Sequence, residues 1–306
     1  MRKFHATRLP LFYPTGTAYF SKIRPQRMKA KEFLQKKLLK QLIFRHYKNM
    51  PPEERTPEWE EVIGWLRKNR LSVFPYSFTA RYDPAKIELR LDEKAQRFYT
   101  IYQGHRLYYR DGENARRARR YFNSVFLEQD PHSPHRYLSG DFDVEEGDVV
   151  VDVGAAEGNF SLDVVERAGK IYLFEPDPAW QEALRLTFAP WKEKVEIIPK
   201  MVGAVTDDTH VALDDFFRER RPSDFIKIDV DGAEAEVLKG MEDLLNEKRI
   251  RKIALCTYHR QEDAGRFARH LEKLGYHVSF SHGYMIFRKR LRPPYLRRGV
   301  LKAVLP

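Results

Sequence analysis

The feature that most constrains the fold of this chain is a run of four valines and one aspartate at residues 149–153. A continuous apolar run of this length is typical of a strand buried on both faces of a parallel sheet. Gly154 and Gly158 follow with G-x-x-x-G spacing, and an apolar helical pattern begins at Phe160. A buried strand, a glycine turn and the start of a helix together predict a cradle for a nucleotide-like cofactor.

The turn departs from the dinucleotide fingerprint G-x-G-x-x-G, because Ala156 and Asn159 stand where two of its glycines would be. A nucleoside cofactor without phosphates fits such a turn better, and S-adenosylmethionine is the candidate. Glu175 ends the next predicted strand, 21 positions after Gly154, near the ~20 expected for a carboxylate that binds ribose hydroxyls. A glycine turn in an unrelated α/β protein is the alternative. The predicted cofactor residues are Asp152, Gly154, Ala155, Ala156, Glu157, Gly158, Asn159, Glu175 and Pro176.

Predicted strands and helices alternate from residue 148 onward. The strands are predicted at 149–153, 170–174, 194–198, 225–230, 252–257, 276–280 and 284–288. The helices are predicted at 159–168, 178–188, 211–220, 233–246 and 261–274. This alternation predicts an α/β fold with a doubly wound, mostly parallel sheet. The last two strands are joined by a short turn and must pair antiparallel, which gives the seven-stranded Rossmann-like sheet of class I methyltransferases.

Three regions are predicted along the chain. Residues 1–144 form an N-terminal appendage of mixed helical and β character, residues 145–290 form the methyltransferase domain, and residues 291–306 form a basic C-terminal tail. Within the appendage, 28–48 is predicted to be a basic helix. Two runs that flank Gln103-Gly104-His105 predict a hairpin in a small antiparallel sheet.

Positive charge is concentrated at the two ends of the chain. The net charge is +12 over residues 1–48 and +7 over residues 288–306, whereas the region between them carries −8. Basic ends suit an anionic or lipid-linked acceptor, a membrane surface or nucleic acid. A single cysteine, Cys256, favours a reducing compartment. With no apolar run of signal-peptide or membrane-spanning length, we expect a soluble cytoplasmic protein.

A second motif follows the fourth predicted strand, where residues 229–234 read Asp-Val-Asp-Gly-Ala-Glu. Strand ends of this kind face the ligand crevice of an α/β sheet. Asp229 and Glu234 are therefore candidates to orient an acceptor or to take its proton, although a helix-capping acid beside a solvated turn is the alternative. A divalent ion held by Asp229 and Asp231 is left open.

Two histidines are candidate site residues. His259 follows the fifth predicted strand, and its ordinary pKa near ~6.5 suits a general base. A surface histidine at a helix start is the alternative for His259. His135 lies in a polar loop before the cofactor strand, where it either lines the pocket or orders the loop.

Together these stretches resemble the FkbM-type family of S-adenosylmethionine-dependent methyltransferases over about residues 145–290. The motifs that carry the resemblance are Val151-Asp152-Val153-Gly154-Ala155, Phe174-Glu175-Pro176, Leu213-Asp214, Lys227-Ile228-Asp229-Val230-Asp231-Gly232-Ala233-Glu234 and Leu238-Lys239-Gly240. The resemblance implies a class I fold, S-adenosylmethionine as methyl donor and usually O-methylation of a hydroxyl on a sugar or secondary metabolite. Two departures are Asp231, where the family usually has Glu, and a short segment between the third and fourth strands.

Two other functions compete with this one. A nucleic-acid methyltransferase is suggested by the basic ends, but Asp-Val-Asp-Gly stands where base-methylating enzymes usually carry an acid or Asn, then Pro-Pro and an aromatic residue. A non-catalytic module that binds a cofactor or a glycan is the second alternative. The sequence predicts a small-molecule or glycan acceptor and leaves its identity and the oligomeric state open.

Overall fold

A computed structural model describes residues 25–288 and 291–306, with side chains from residue 32 onward. The parts of the predicted basic ends at 1–24 and 289–290 lie outside the described residues. The chain divides into two compact units, Met1–Leu42 and Ile43–Pro306. Among the helices of the described residues, none is both long enough and apolar enough to cross a bilayer.

The helices and strands are numbered in chain order. The α-helices are α1 (Pro25–Asn49), α2 (Pro57–Lys68), α3 (Ala115–Glu128), α4 (Asn159–Val164), α5 (Pro178–Thr187), α6 (Leu213–Phe216), α7 (Glu234–Lys239), α8 (Glu242–Asn246) and α9 (Asp263–Lys273). The first six strands are β1 (Arg90–Asp92), β2 (Arg97–Tyr102), β3 (His105–Tyr108), β4 (Val149–Val153), β5 (Lys170–Phe174) and β6 (Val195–Ile198). The remaining strands are β7 (Met201–Val202), β8 (His210–Val211), β9 (Phe225–Ile228), β10 (Lys252–Cys256), β11 (His277–Phe280) and β12 (Val300–Val304).

A seven-stranded sheet forms the centre of the larger unit, in the order β11-β12-β10-β9-β4-β5-β6. β12 runs antiparallel to both of its neighbours, and the other neighbouring pairs are parallel. The chain leaves β4 toward β5 and later returns to its other side with β9, so a crevice opens at the carboxyl ends of these strands. This confirms the predicted α/β fold with a mostly parallel sheet of the class I methyltransferase type. The helical cover of both faces stays a prediction.

The closing strand is not where the sequence predicted it. Residues 284–288 form no strand, and Met285 makes only an isolated bridge to Arg297. β12 instead enters between β10 and β11, with Leu301 opposite both Leu255 and Phe280. Prediction of a C-terminal tail at 291–306 is therefore wrong for residues 300–304, which lie inside the sheet. Lys302 misled the prediction, because its ammonium group is buried and donates to the Ser139 hydroxyl.

The predicted helix at 233–246 is divided into α7 and α8. Asp214, at the start of α6, accepts hydrogen bonds from the backbone N–H groups of Asp243 and Leu244 at 3.1 and 2.9 Å. Its own N–H donates to the carbonyl of Gly240 at 2.9 Å. A side chain that caps the first turn of α8 satisfies donors that a continuous helix would have used internally.

The small antiparallel sheet contains β1, β2 and β3 in that order. Gln103 and Gly104 connect β2 to β3 with φ angles of 50° and 82°, as a two-residue hairpin loop requires. A 3-10 turn occupies Pro84–Lys86 before β1 begins at Arg90. The Asp83 side chain caps that turn by accepting from the N–H of Ala85.

Candidate functional site

The glycine turn after β4 is fixed by its neighbours on both sides. The N–H groups of Gly154 and Ala155 both donate to the Phe174 carbonyl at the end of β5, at 3.1 Å. Gly154 has a φ of 78°, and a Cβ at this position would lie 2.1 Å from the carbonyl oxygen of Asp229. The cradle therefore accepts only glycine here, because a side chain would collide with the end of β9.

Glu175 lies directly after β5, where the sequence predicted a ribose-binding carboxylate. One carboxylate oxygen accepts from the N–H of Ala156 at 2.9 Å, and the other accepts from the N–H of Asp177 at 2.8 Å. Burial raises the pKa of Glu175, while these two backbone bonds oppose the shift. Each oxygen has a further lone pair, so Glu175 can hold the glycine turn and still accept from a ligand hydroxyl.

Asp152 lies beneath the cradle rather than in it. Its side chain is fully buried, with one oxygen 2.9 Å from the Lys227 ammonium nitrogen and the other 2.8 Å from the Ser161 hydroxyl. The Lys227 ammonium group also donates to the Gly154 carbonyl at 2.7 Å. The pair thus connects β4 to β9 below the turn. Sequence analysis missed Lys227, although a lysine within an apolar strand was a visible signal.

The remaining predicted cofactor residues surround the turn. Gly158 has a φ of 81°, and a Cβ there would lie 2.7 Å from the Leu184 and Phe188 side chains of the next helix region. Asn159 begins α4 and is buried, whereas Pro176 is exposed between β5 and α5. Ala155 is buried and Ala156 is half-buried, with a φ of 47° for Ala156.

Glu157 is a buried carboxylate within the same turn. It accepts a hydrogen bond from the hydroxyl of Tyr121, a half-buried side chain on α3. Burial raises the pKa of Glu157 to about 7, although the bond from Tyr121 opposes this. The protonation of Glu157 therefore changes near neutral pH, inside the turn predicted to hold the cofactor.

Asp229, at the end of β9, collects hydrogen bonds from several elements. It accepts from the Tyr137 hydroxyl at 2.9 Å and from the Tyr258 hydroxyl at 3.2 Å, and His135 Nε2 lies 3.4 Å away. Burial alone would favour the neutral acid. The hydrogen bond from His135 and the nearby charges of His135, His259 and Lys227 outweigh it and lower the pKa of Asp229. Asp229 is therefore a stable carboxylate at neutral pH.

His259 faces Asp229 from the end of β10, as the adjacency of the two strands predicted. Its Nδ1 lies 2.8 Å from a carboxylate oxygen of Glu234, and its Nε2 lies 3.6 Å from Asp231 and 3.8 Å from Asp229. Burial lowers the pKa of His259, but Asp231, Glu234 and Asp229 together raise it to about 10. These acids favour the protonated imidazole, and the general-base role of His259 stays a prediction.

Glu234 is buried at the start of α7 and points back into the turn. It accepts from the N–H groups of Val230 and Gly232 at 3.3 and 3.2 Å, in addition to its contact with His259. The buried Glu234 carboxylate therefore holds the 229–234 turn and the imidazole together. It is not open to an acceptor, in contrast to the role that the sequence suggested.

A cavity of about 360 Å³ adjoins the Asp229 cluster. It is lined by Ser72, Val73, Phe74, Thr79, Ser124, Leu127, Glu128, His135, Tyr258, Met285 and Phe287. Burial raises the pKa of Glu128, the carboxylate in its wall. His135 and Tyr258 line the cavity and also contact Asp229, so they connect the cavity to the strand end.

The tyrosines at this site were not predicted. Tyr258 directly precedes His259 after β10, so its position beside the crevice could have been expected from the sequence. Tyr137 lies 92 positions before Asp229, and no local pattern predicts that contact. His135, which the sequence singled out, is buried and lines the cavity.

Comparison with known proteins identifies one family. Residues 202–278 match the family model of the methyltransferase FkbM domain. A stretch of 57 residues is 42% identical to a probable ribosomal RNA small subunit methyltransferase A of Methanococcoides burtonii, which is 19% of this chain and 21% of that protein. The chain thus spans about a fifth of that curated relative.

Two solved structures are similar to part of this chain. The methyltransferase FkbM of Methylobacillus flagellatus is 17% identical with a TM-score of 0.45, over 61% of this chain and 54% of that chain. TrmK of M. capricolum, solved with S-adenosyl-homocysteine, is 10% identical with a TM-score of 0.37, over 53% of this chain and 63% of that chain. The match over residues 202–278 confirms the resemblance of this chain to the FkbM-type methyltransferase family.

Proposed function

We propose that this chain is an S-adenosylmethionine-dependent methyltransferase that methylates a hydroxyl oxygen on a sugar, a glycan or a secondary metabolite. The observation that carries the proposal is the convergence of three strand ends. The Gly154 turn, Glu175 and Asp229 follow the adjacent strands β4, β5 and β9, and the Gly154 cradle has no room for a side chain.

The residues present fit the methyl donor. Glu175 would accept hydrogen bonds from the ribose hydroxyls, and the backbone of the Gly154 turn would lie against the amino-acid portion. S-adenosylmethionine supplies an activated methyl group on a cationic sulfonium. Because Asp229 stays ionised at the neighbouring strand end, it favours a positively charged ligand beside it.

The cavity beside Asp229 supports a small or terminal acceptor group. Its wall combines apolar side chains such as Phe74 and Phe287 with hydroxyl and carboxyl groups such as Ser72 and Glu128. A volume of about 360 Å³ lies in the range of pockets for small ligands. A sugar ring or a hydroxylated metabolite matches this mixture of apolar and polar surface.

Orientation carries most of the proposed rate acceleration. The reaction forms a bond between the acceptor oxygen and the methyl carbon, breaks the bond between sulfur and that carbon, and releases the hydroxyl proton to solvent. Because the pKa of His259 is raised and the pKa of Asp229 is lowered, the proposal assigns the acceptor proton to neither group. Holding the reacting groups in line is a sufficient source of rate in such a site.

The proposal is tested by ligand binding and by turnover. Purified full-length protein is expected to bind S-adenosylmethionine in isothermal titration calorimetry, whereas NAD should give no signal. Glu175→Gln keeps one oxygen that can accept from a backbone N–H but loses the negative charge. The affinity for S-adenosylmethionine should therefore fall by ~10-fold. Glu193→Gln, at an exposed position, is the matched control. Binding of NAD in place of S-adenosylmethionine would refute the proposal.

Turnover separates the acceptor classes. A labelled methyl donor is offered with small-molecule and glycan fractions in one assay and with total RNA in another. Label in the first set supports O-methylation of a metabolite or glycan. Donor binding without transfer to either set would favour the non-catalytic module.

An RNA methyltransferase is the second candidate, because the 57-residue match is to a probable ribosomal RNA methyltransferase. Residues 229–232 speak against base methylation, since Asp-Val-Asp-Gly stands where such enzymes usually carry Pro-Pro and an aromatic residue. Tight binding to RNA that weakens steeply with salt, together with label in RNA, would establish this second function instead.

A further inference from the structure

We propose that the ends of β9 and β10 form a binding site for one divalent transition-metal ion. Its ligands are the carboxylates of Asp229 and Asp231 and Nε2 of His259, from which the ion displaces a proton into solvent as it binds. Glu234 lies beside the other ring nitrogen. The described residues include a group of Asp229, Glu234 and His259 whose possible ligand atoms all lie within 4.8 Å of one another. Asp231 is outside that group, but its Oδ1 lies 3.6 Å from Nε2 of the same imidazole.

The distances match a site that needs only a small contraction to hold an ion. His259 Nε2 lies 3.8 Å from Oδ1 of Asp229 and 3.6 Å from Oδ1 of Asp231. With metal–ligand bonds of about 2.1 Å, ligand atoms on one ion lie about 3.0 to 3.4 Å apart. Rotation of the exposed Asp231 side chain can shorten its own distance. The 3.8 Å between His259 and Asp229 must contract by a few tenths of an ångström when the ion binds.

A buried atom without a partner points at the same place. The His259 side chain is 3% exposed, and among the described residues neither Nδ1 nor Nε2 has a hydrogen-bond partner. A buried polar nitrogen in this position is costly unless something binds it. Nε2 lies 3.8 Å from Asp229 and 3.6 Å from Asp231, and an ion between these groups would be shared by all three.

The imidazole is held in a fixed orientation for this role. Nδ1 lies 2.8 Å from a Glu234 oxygen, without hydrogen-bond geometry, and Nε2 is the nitrogen that lies near Asp229 and Asp231. The rings of Tyr258 and Phe287 pack against the imidazole at centroid distances of 4.1 and 5.6 Å. A carboxylate that binds the second nitrogen of a histidine is the usual support of a metal-bound imidazole.

The ligand set and the exposure of the site indicate the kind of ion. One imidazole with two carboxylates suits a transition ion such as Mn²⁺ better than an ion that binds oxygen only. Because the Asp231 side chain is 84% exposed, an ion can reach this ligand from solvent. In the methyl transfer proposed above, an ion at this site would bind the acceptor hydroxyl and lower the pKa of that hydroxyl. This role in catalysis rests on the proposed function, whereas ion binding does not.

The experiment measures Mn²⁺ binding by electron paramagnetic resonance on full-length protein freed of metal with a chelator. We expect one bound Mn²⁺ per chain. Asp231→Asn should weaken the affinity by at least ~10-fold, because a charged ligand is lost. The φ of 53° at Asp231 suits asparagine, so this variant should fold normally. Asp208→Asn, at another exposed acid, is the matched control and should bind Mn²⁺ like the parent.

A second variant tests the buried ligand. His259→Gln should abolish Mn²⁺ binding, and circular dichroism will show whether it is folded. The site is refuted if the parent protein binds no Mn²⁺ at millimolar concentration, or if Asp231→Asn binds it as tightly as the parent. Mn²⁺ binding without any methyl transfer would support the site and count against the proposed function, so the two can fail separately.

Discussion

Glu157 makes the stability of this protein depend on pH in a direction that one substitution can test. The carboxyl is buried in the turn after β4, and burial raises its pKa from 4.5 to about 7. Between these two values the unfolded chain ionises Glu157, whereas the folded chain keeps it protonated. The free energy of unfolding therefore falls as pH rises through this window, and the loss is complete above pH 7.

The magnitude follows from the same two values. Each pKa unit is worth about 1.36 kcal/mol, so a rise of about 2.5 units corresponds to roughly 3 kcal/mol. For a folded unit of this size that is a change of about 5 °C in Tm. Glu157→Gln removes the ionisation and keeps an oxygen that can accept from Tyr121.

The assay compares thermal unfolding of the parent and Glu157→Gln at pH 5 and pH 8. We expect similar Tm values at pH 5 and a variant more stable by about 5 °C at pH 8. Glu146→Gln, at an exposed position in the loop before β4, controls for loss of one surface charge. Equal pH dependence in the parent and Glu157→Gln would refute the reasoning, because other groups would then account for all of it.

Two further substitutions test the turn and its support. In urea unfolding, Gly154→Ala should lower the free energy of unfolding by roughly 1–3 kcal/mol more than Gly147→Ala does. Both positions have a positive φ, but only at Gly154 would a Cβ collide with backbone atoms. Equal losses for the two variants would contradict this steric argument. Lys227→Met leaves the Asp152 carboxylate buried without its partner, so it should lower the free energy of unfolding by about 3–5 kcal/mol. Adding Asp152→Asn should recover part of that loss. An unchanged free energy of unfolding in Lys227→Met would show that the ion pair is not needed for stability.

The sequence predicted the elements whose signals are local. The valine run of β4, the following glycine turn and the acid after β5 are each recognisable within a few residues, and the structure has them at the expected strand ends. The hairpin around Gly104 is likewise set by turn residues. These features position the crevice, so its location on the sheet could be predicted.

The features that sequence analysis missed depend on contacts between distant residues. Asp214 divides a predicted helix from about 30 positions away, and Tyr137 reaches Asp229 across 92 positions. The pKa of His259 depends on three acids that fold around it, so the ordinary value for histidine does not describe this site. Lys302 concealed β12, because a lysine in a basic segment resembles a solvated tail.

The insertion of β12 between β10 and β11 has a consequence for the order of folding. In the described sheet, β11 pairs only with β12, so it cannot join the sheet until residues 300–304 have arrived. Until then β10 is an open edge with unpaired backbone groups, which is a template for pairing with another chain. A nascent or truncated chain that stops before residue 300 is therefore expected to expose this edge and to aggregate, even though every residue of the crevice has already been made.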